Sequence, residues 1–215
     1  MKTKEHDFIE IDYIARTKDD NKIFDLTDEK IAKENNLYQA NKEYSSIVIC
    51  LGKNDVIPGL DKQLINKELG KHTIEIKAEE AFGKRSANLI KLVPTNIFFK
   101  QNINPVPGLH VNLDGIYGII RSVSGGRTIV DFNHPLASHD LVYEVNIKRI
   151  VDNTEEKVKS VLNLVKKDIE FSLKDDKLVV KLKLNEKQSK ELTEEIKERI
   201  NEIKDIEFEK TTTPE

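Results

Sequence analysis

Apolar side chains recur in partial alternation from Phe8 to Thr17, with Phe8, Ile9, Ile11, Tyr13 and Ile14 set among polar neighbours, and this rhythm predicts a strand. Lys18-Asp19-Asp20-Asn21 reads as a turn, after which Ile23-Phe24 resumes the apolar run and Thr27 is placed to cap a short helix opening at Asp28. Ser46–Leu51 predicts a second strand. Pro58-Gly59 breaks the chain ahead of Leu60–Ile65, whose apolar residues at 60, 64 and 65 suit a short helix laid over a sheet. Two further strands are expected at Lys71–Ala78, where His72, Ile74 and Ile76 alternate, and at Asp140–Val151.

Between Arg85 and Val130 the pattern changes. Ile97-Phe98-Phe99, a Pro-rich stretch at Asn104–Gly108, and two β-rich runs (Ile116–Val123 and Thr128–Phe132) joined by Gly125-Gly126 predict a hairpin inside a separate unit. About 45 residues with their own hairpin are too structured for a loop and are expected to form an inserted small domain. After Val151 the chain turns rich in Lys, Glu and Asp and lacks glycine. Asn153 with Glu156, and Asn185 with Gln188, read as capping boxes opening two helices, the second lined by Leu192, Ile196, Ile200 and Ile203. Between them Ile169–Leu173 and Leu178–Leu184 read as a hairpin across Asp175-Asp176. Ile206–Glu209 reads as a last strand, and Thr211–Glu215 as a frayed end. The third segment is thus α-β-β-α-β.

A charged fraction of 34% with a net charge of -3 gives nucleic acid no overall reason to approach, and Lys84-Arg85 is read as part of a solvated face. The one cysteine, Cys50, excludes an intrachain disulfide and sits in an apolar run, as a buried structural thiol does. The N-terminal residues carry no signal-peptide core and no apolar run is long enough to cross a bilayer, so a cytoplasmic protein without membrane contact is expected. The five histidines form no metal-binding spacing, and His134 and His139 are read as residues of a turn-rich loop. No nucleophile elbow or phosphate-binding glycine loop is present, so neither cofactor nor metal is expected. What remains is catalysis that needs little chemistry, from a site that would read as ordinary core.

Three stretches carry a resemblance. Asn54–Leu64 (Asn-Asp-Val-Ile-Pro-Gly-Leu-Asp-Lys-Gln-Leu), Glu79–Arg85 (Glu-Glu-Ala-Phe-Gly-Lys-Arg), and Asn133–Ala137 followed by Leu141–Val145 resemble, in that order, the pocket-base, Ala-Tyr-Gly and flap-return elements of FK506-binding-protein isomerases. The resemblance covers residues 7–151 and is to the insert-in-flap form, including the archaeal long type with an extra C-terminal domain; the segment after Arg85 falls where that form carries its insert. It implies an α+β fold: a twisted antiparallel sheet around a short helix (residues 1–85 and 131–152), a β-rich insert-in-flap chaperone domain (86–130), and a small α+β C-terminal domain (153–215).

The resemblance further implies a prolyl isomerase pocket built from Tyr13, Phe24, Asp25, Val56, Ile57, Leu60, Phe82, Leu136 and Tyr143, with the Val56-Ile57 backbone engaging an extended peptide. Read from the residues alone, most of these are core side chains and Asp25 a turn or helix-start residue. Three positions depart from the family. Leu60 replaces a tryptophan common in short members, Phe82 lacks the phenol usual there, and Tyr143 adds a hydroxyl to a usual phenylalanine. The implied partners are unfolded, proline-containing polypeptides held on the insert, whose apolar residues (Ile97, Phe98, Phe99, Val106, Leu109, Val111, Ile116, Ile119 and Val123) exceed what so small a domain can comfortably bury, the alternative being that most of them form its core. A macrolide in the pocket and a homodimer formed through the C-terminal domain are the further partner expectations; a non-enzymatic holdase is the alternative function.

Overall fold

The computed structural model describes residues 1–208, so the Thr211–Glu215 end and Glu209 of the expected last strand lie outside the described residues. In chain order the first part comprises β1 (Phe8–Thr17), β2 (Ile23–Leu26), α1 (Glu29–Glu34), β3 (Ile47–Cys50), α2 (Pro58–Leu64) and β4 (Gly70–Ile76). The middle part holds β5 (Ile90–Pro94), α3 (Thr95–Lys100), β6 (His110–Leu113), β7 (Ile116–Ser124) and β8 (Arg127–Asp131), after which β9 (Leu141–Ile150) returns to the first sheet. The chain continues through α4 (Thr154–Val165), β10 (Phe171–Lys174), β11 (Lys177–Val180), α5 (Glu186–Arg199) and β12 (Asp205–Phe208). The architecture is α+β, and no helix among the described residues is long and apolar enough to cross a membrane.

β1 lies at the centre of an antiparallel sheet, with β9 and then β4 on one side; on the other side β2 and β3 share its edge, β3 against residues 8–11 and β2 against residues 14–16. Because side chains alternate across a strand, Ile9, Ile11 and Ala15 of β1 and Leu141, Tyr143, Val145 and Ile147 of β9 join one core, which α2 covers with Leu60 and Leu64. Pro58 does not break the chain ahead of α2 but begins it: proline is tolerated at the first helical position, where its missing N–H has no intrahelical partner anyway. Gly59 is required by packing, since a Cβ there would sit 2.4 Å from Ile76 Cγ2. Thr27 is not the cap of α1; Asp28 is, accepting from the Ile31 amide, while the Thr27 hydroxyl accepts from the Tyr13 amide and ties β2's end to β1.

The middle part forms its own antiparallel sheet in the order β5-β8-β7-β6, around a core of Phe98, Val111, Ile120 and Val130. Gly125 and Gly126 both take positive φ in the β7-β8 turn, as a two-residue hairpin demands. β8 runs to Asp131, just beyond the boundary drawn at residue 130. There the buried Asp131 carboxylate accepts from Arg85, Arg121 and the Asn133 side chain, clasping both chain crossings into the first sheet.

In the third part β10 and β11 form a hairpin, and α5 carries the chain from β11 to β12, which pairs parallel to it. The capping box at Asn185 and Gln188 is complete, whereas at Asn153 only half is made: Asn153 accepts from the Glu156 amide, but the Glu156 side chain pairs with Arg149 instead. Ile200 and Ile203 are buried but lie past the last turn of α5. The core of this part is not self-contained, since Phe8, Cys50 and Val151 of the first part are packed among Val158, Leu162, Ile196 and Ile200. β3 is therefore buried on both faces, Ile47 and Ile49 toward the first core and Val48 and Cys50 toward the third.

Candidate active site

A cavity of about 600 Å³ opens over the concave core face of the first sheet, lined by Tyr13, Phe24, Asp25, Ile47, Asp55, Val56, Ile57, Leu60, Phe82, His134, Leu136 and Tyr143. The elements that place these side chains come from distant parts of the chain. Tyr13 and Tyr143 stand on the neighbouring strands β1 and β9, where Tyr143 lies opposite Ala15, whose small side chain leaves room for the ring. Phe24 and Asp25 project from the short β2, Leu60 rises from the first turn of α2 to form the floor, and Val56 and Ile57 occupy the loop that enters it. Phe82 follows a single 3₁₀ turn at Ala78–Glu80, and Leu136 comes from the segment joining β8 to β9.

Aromatic rings form most of the wall. Phe24 meets Phe82 and Tyr143 edge-on, with centroids 6.5 and 6.1 Å apart, and Tyr13 packs at 5.8 Å from Tyr143. His134 stacks flat on Phe82 at 4.1 Å, and its partial burial holds the imidazole below its usual basicity, which favours the neutral ring against an apolar face.

The polar groups are few and directed. The Tyr13 hydroxyl donates to Asp25 Oδ2 at 2.6 Å, while Lys42 Nζ donates to Asp25 Oδ1 at 2.5 Å. Burial first, and then the Asp25 carboxylate, push the Tyr13 phenol far above its ordinary range, so it remains a donor. Burial does the same for Tyr143. The Tyr143 hydroxyl makes no hydrogen bond among the described residues, yet it is not sealed from solvent, so it faces the cavity as an unused donor. The Val56 and Ile57 amides are likewise unused by any hydrogen bond among the described residues.

The chain's sequence matches a known family. A family model described as FKBP-type peptidyl-prolyl cis-trans isomerase matches residues 1–103, and one described as the IF domain of FKBP26 matches residues 91–136. The short-type peptidyl-prolyl cis-trans isomerase of Methanocaldococcus jannaschii is 30% identical over 148 residues, spanning 68% of this chain and 93% of that protein. The chain belongs to the FKBP-type peptidyl-prolyl isomerase family. SlyD of Haemophilus influenzae, also named an FKBP-type peptidyl-prolyl isomerase, is 30% identical over 113 residues, covering 50% of this chain and 58% of its own length. The FKBP-type 16 kDa isomerase of Escherichia coli is 30% identical over 105 residues, 46% of this chain and 70% of its own.

All nine residues named from the resemblance border the one cavity, and Ile47, Asp55, His134 and the nearby Lys42 join them without having been named. Asp55 precedes Val56 directly and Ile47 opens an apolar run, so adjacency was the available signal for both. His134 lies inside the Asn133–Ala137 stretch of the resemblance, two positions before Leu136, but its stacking on Phe82 is a contact across more than fifty positions of sequence that nothing local announces. His139 turns away to pair with Asp19, and among the described residues no three His, Cys, Asp or Glu side chains gather as a metal site would need.

Proposed function

We propose that this cavity receives the proline of an extended polypeptide and accelerates its cis/trans isomerisation. The observation that carries the reading is the convergence of Tyr13, Phe24, Phe82 and Tyr143 over Leu60, an apolar bowl with unused amide donors at its lip. Rotation about a peptide bond faces a resonance barrier of about 18–20 kcal/mol. A low-dielectric surround favours the twisted imide, whose carbonyl is less charge-separated, over the planar amide. The Val56 and Ile57 amides would hold the flanking peptide in extended form, as an added strand does. Lys42 and Tyr13 keep the Asp25 carboxylate aimed across the bowl. With the phenol absent at Phe82, the free Tyr143 hydroxyl is the donor left to meet a substrate carbonyl.

The insert supports a chaperone role alongside catalysis. Leu92, Phe99, Ile116 and Tyr117 are exposed by 56, 57, 60 and 76%, so its core leaves a broad apolar surface for unfolded chains. Such holding raises the local concentration of prolines at the cavity. The division we adopt is an isomerase domain of residues 1–85 and 131–152, an insert of 86–130 and a C-terminal domain from 153. Cytosolic unfolded polypeptides are the proposed substrates, neither nucleic acid nor membrane being a partner. A macrolide could occupy the same bowl, and a homodimer could form through the C-terminal domain.

The test is a protease-free assay of an Xaa-Pro peptide. Acceleration above the uncatalysed rate is expected, and a folded protein without it would sink the enzymatic reading. A second reading, a holdase whose cavity only binds, is favoured by the exposed insert and the missing phenol. It requires that the same assay show no acceleration while aggregation of an unfolded client is still suppressed.

A further inference from the structure

Asp55 stands at the joint between the cavity and the third part of the molecule. It lines the cavity, precedes Val56 and Ile57, and has a side chain only 6% exposed. Its Oδ2 accepts from the Cys50 amide at 2.8 Å, closing the loop on itself, and its Oδ1 accepts from Arg199 Nη1 at 2.6 Å. Arg199 is the last residue of α5, so this contact crosses from one domain to another over 144 positions of sequence. Its side chain is also 6% exposed, and its second amino group donates to Glu195 one turn back at 2.8 Å, which fixes the guanidinium plane.

A second link runs parallel to the first: Lys53 Nζ, in the same loop, meets Glu198 Oε1 of α5 at 2.6 Å. The loop's other anchors are internal: Asp61 of α2 accepts from the Gly52 and Asn54 amides at 2.9 Å each, the Lys53 amide donates to the Cys50 carbonyl, and the Ile57 carbonyl accepts from the Leu60 and Asp61 amides. α2 thus holds both ends of the loop, and between them Asp55 is tied to Cys50 from within and to α5 from outside.

A buried ion pair is poor evidence for stability, because removing two charges from water offsets most of their attraction; what it does provide is a defined geometry. The geometry here is that of the Val56 and Ile57 amides. We propose that Arg199 of the C-terminal domain is a positioning residue for the isomerase site, fixing through Asp55 the loop that presents these amides to the substrate backbone. The C-terminal domain then acts on catalysis without touching the peptide. This rests on the cavity being the isomerase site.

The experiment compares full-length wild type, R199M and R199K in peptide isomerisation, with thermal melting and backbone amide NMR order parameters at Val56 and Ile57 on the same samples. R199M is expected to raise KM on the order of tenfold with kcat little changed, and to lower the order parameters of both amides. R199K keeps the charge but not the two-pronged geometry and should fall between. A folded R199M with wild-type KM and wild-type order parameters would overturn the proposal; should R199M not fold, the same result in R199K would. A merely structural Arg199 would lower the melting temperature and leave both readouts unmoved. If wild type itself shows no catalysis, the cavity reading fails, while the order parameters still decide whether Arg199 positions the loop.

Discussion

Phe82 and Tyr143 exchange a hydroxyl relative to the family's usual pattern, one losing it and the other gaining it. Both rings border the cavity, and Phe24 bridges them. If the Tyr143 hydroxyl meets a substrate carbonyl, Tyr143→Phe should lower kcat/KM about two- to tenfold, the worth of one hydrogen bond, with little change in melting temperature. Restoring a phenol in the double variant F82Y/Y143F should recover part of that loss. Unchanged kcat/KM in Tyr143→Phe would leave the apolar surround as the whole of the catalytic effect. Cys50 is the opposite kind of residue. Its thiol is pushed up to about 11, chiefly by burial, so it packs as a small apolar side chain and has no thiolate to offer at neutral pH.

Among the elements, β8 and the chain crossings beside it decide how firmly the insert is seated. Burial alone would raise the Asp131 carboxyl, but hydrogen bonds from the Asn133 side chain and backbone, Arg121 and Arg85 outweigh it and hold the group well below the usual carboxylate range. A depressed folded-state value means that this stabilisation is complete above about pH 4, the unfolded aspartate's range, and is lost as pH falls below it. Asp131→Asn should remove that acid sensitivity and destabilise the protein by about 1–3 kcal/mol at neutral pH, read by denaturant unfolding. The exposed face of α3 behaves differently. Phe99→Ser removes apolar surface from solvent, so stability should change by less than about 0.5 kcal/mol while suppression of client aggregation weakens. Undiminished suppression would place client binding elsewhere.

Across the whole molecule the third part of the chain shares its core with the first sheet, through Phe8, Cys50 and Val151, and shares polar contacts through Arg199 and Lys53. Cutting the chain after residue 152 should therefore expose Phe8, Val48 and Cys50 and lower the melting temperature of what remains; an unchanged melt would show that the two cores are independent. The strands of the first sheet, the Gly125-Gly126 hairpin and the α-β-β-α-β order of the last part were legible in sequence, because each rests on local periodicity, turn chemistry or caps. So were the nine cavity residues, though only as a resemblance; periodicity alone reads Tyr13, Leu60 and Tyr143 as ordinary core. The unbroken run Ile47–Leu51 did hold a sign of the domain contact, since a strand apolar on both faces needs cover on both. The missed contacts are long in sequence: His134 on Phe82, Lys42 on Asp25, Arg199 on Asp55. By itself the chain's pattern determined which segments form strands and helices and which side chains seek cover. Which apolar faces meet, and where a charged side chain finds its partner, only the tertiary structure decided, because such pairings join residues whose separation carries no period.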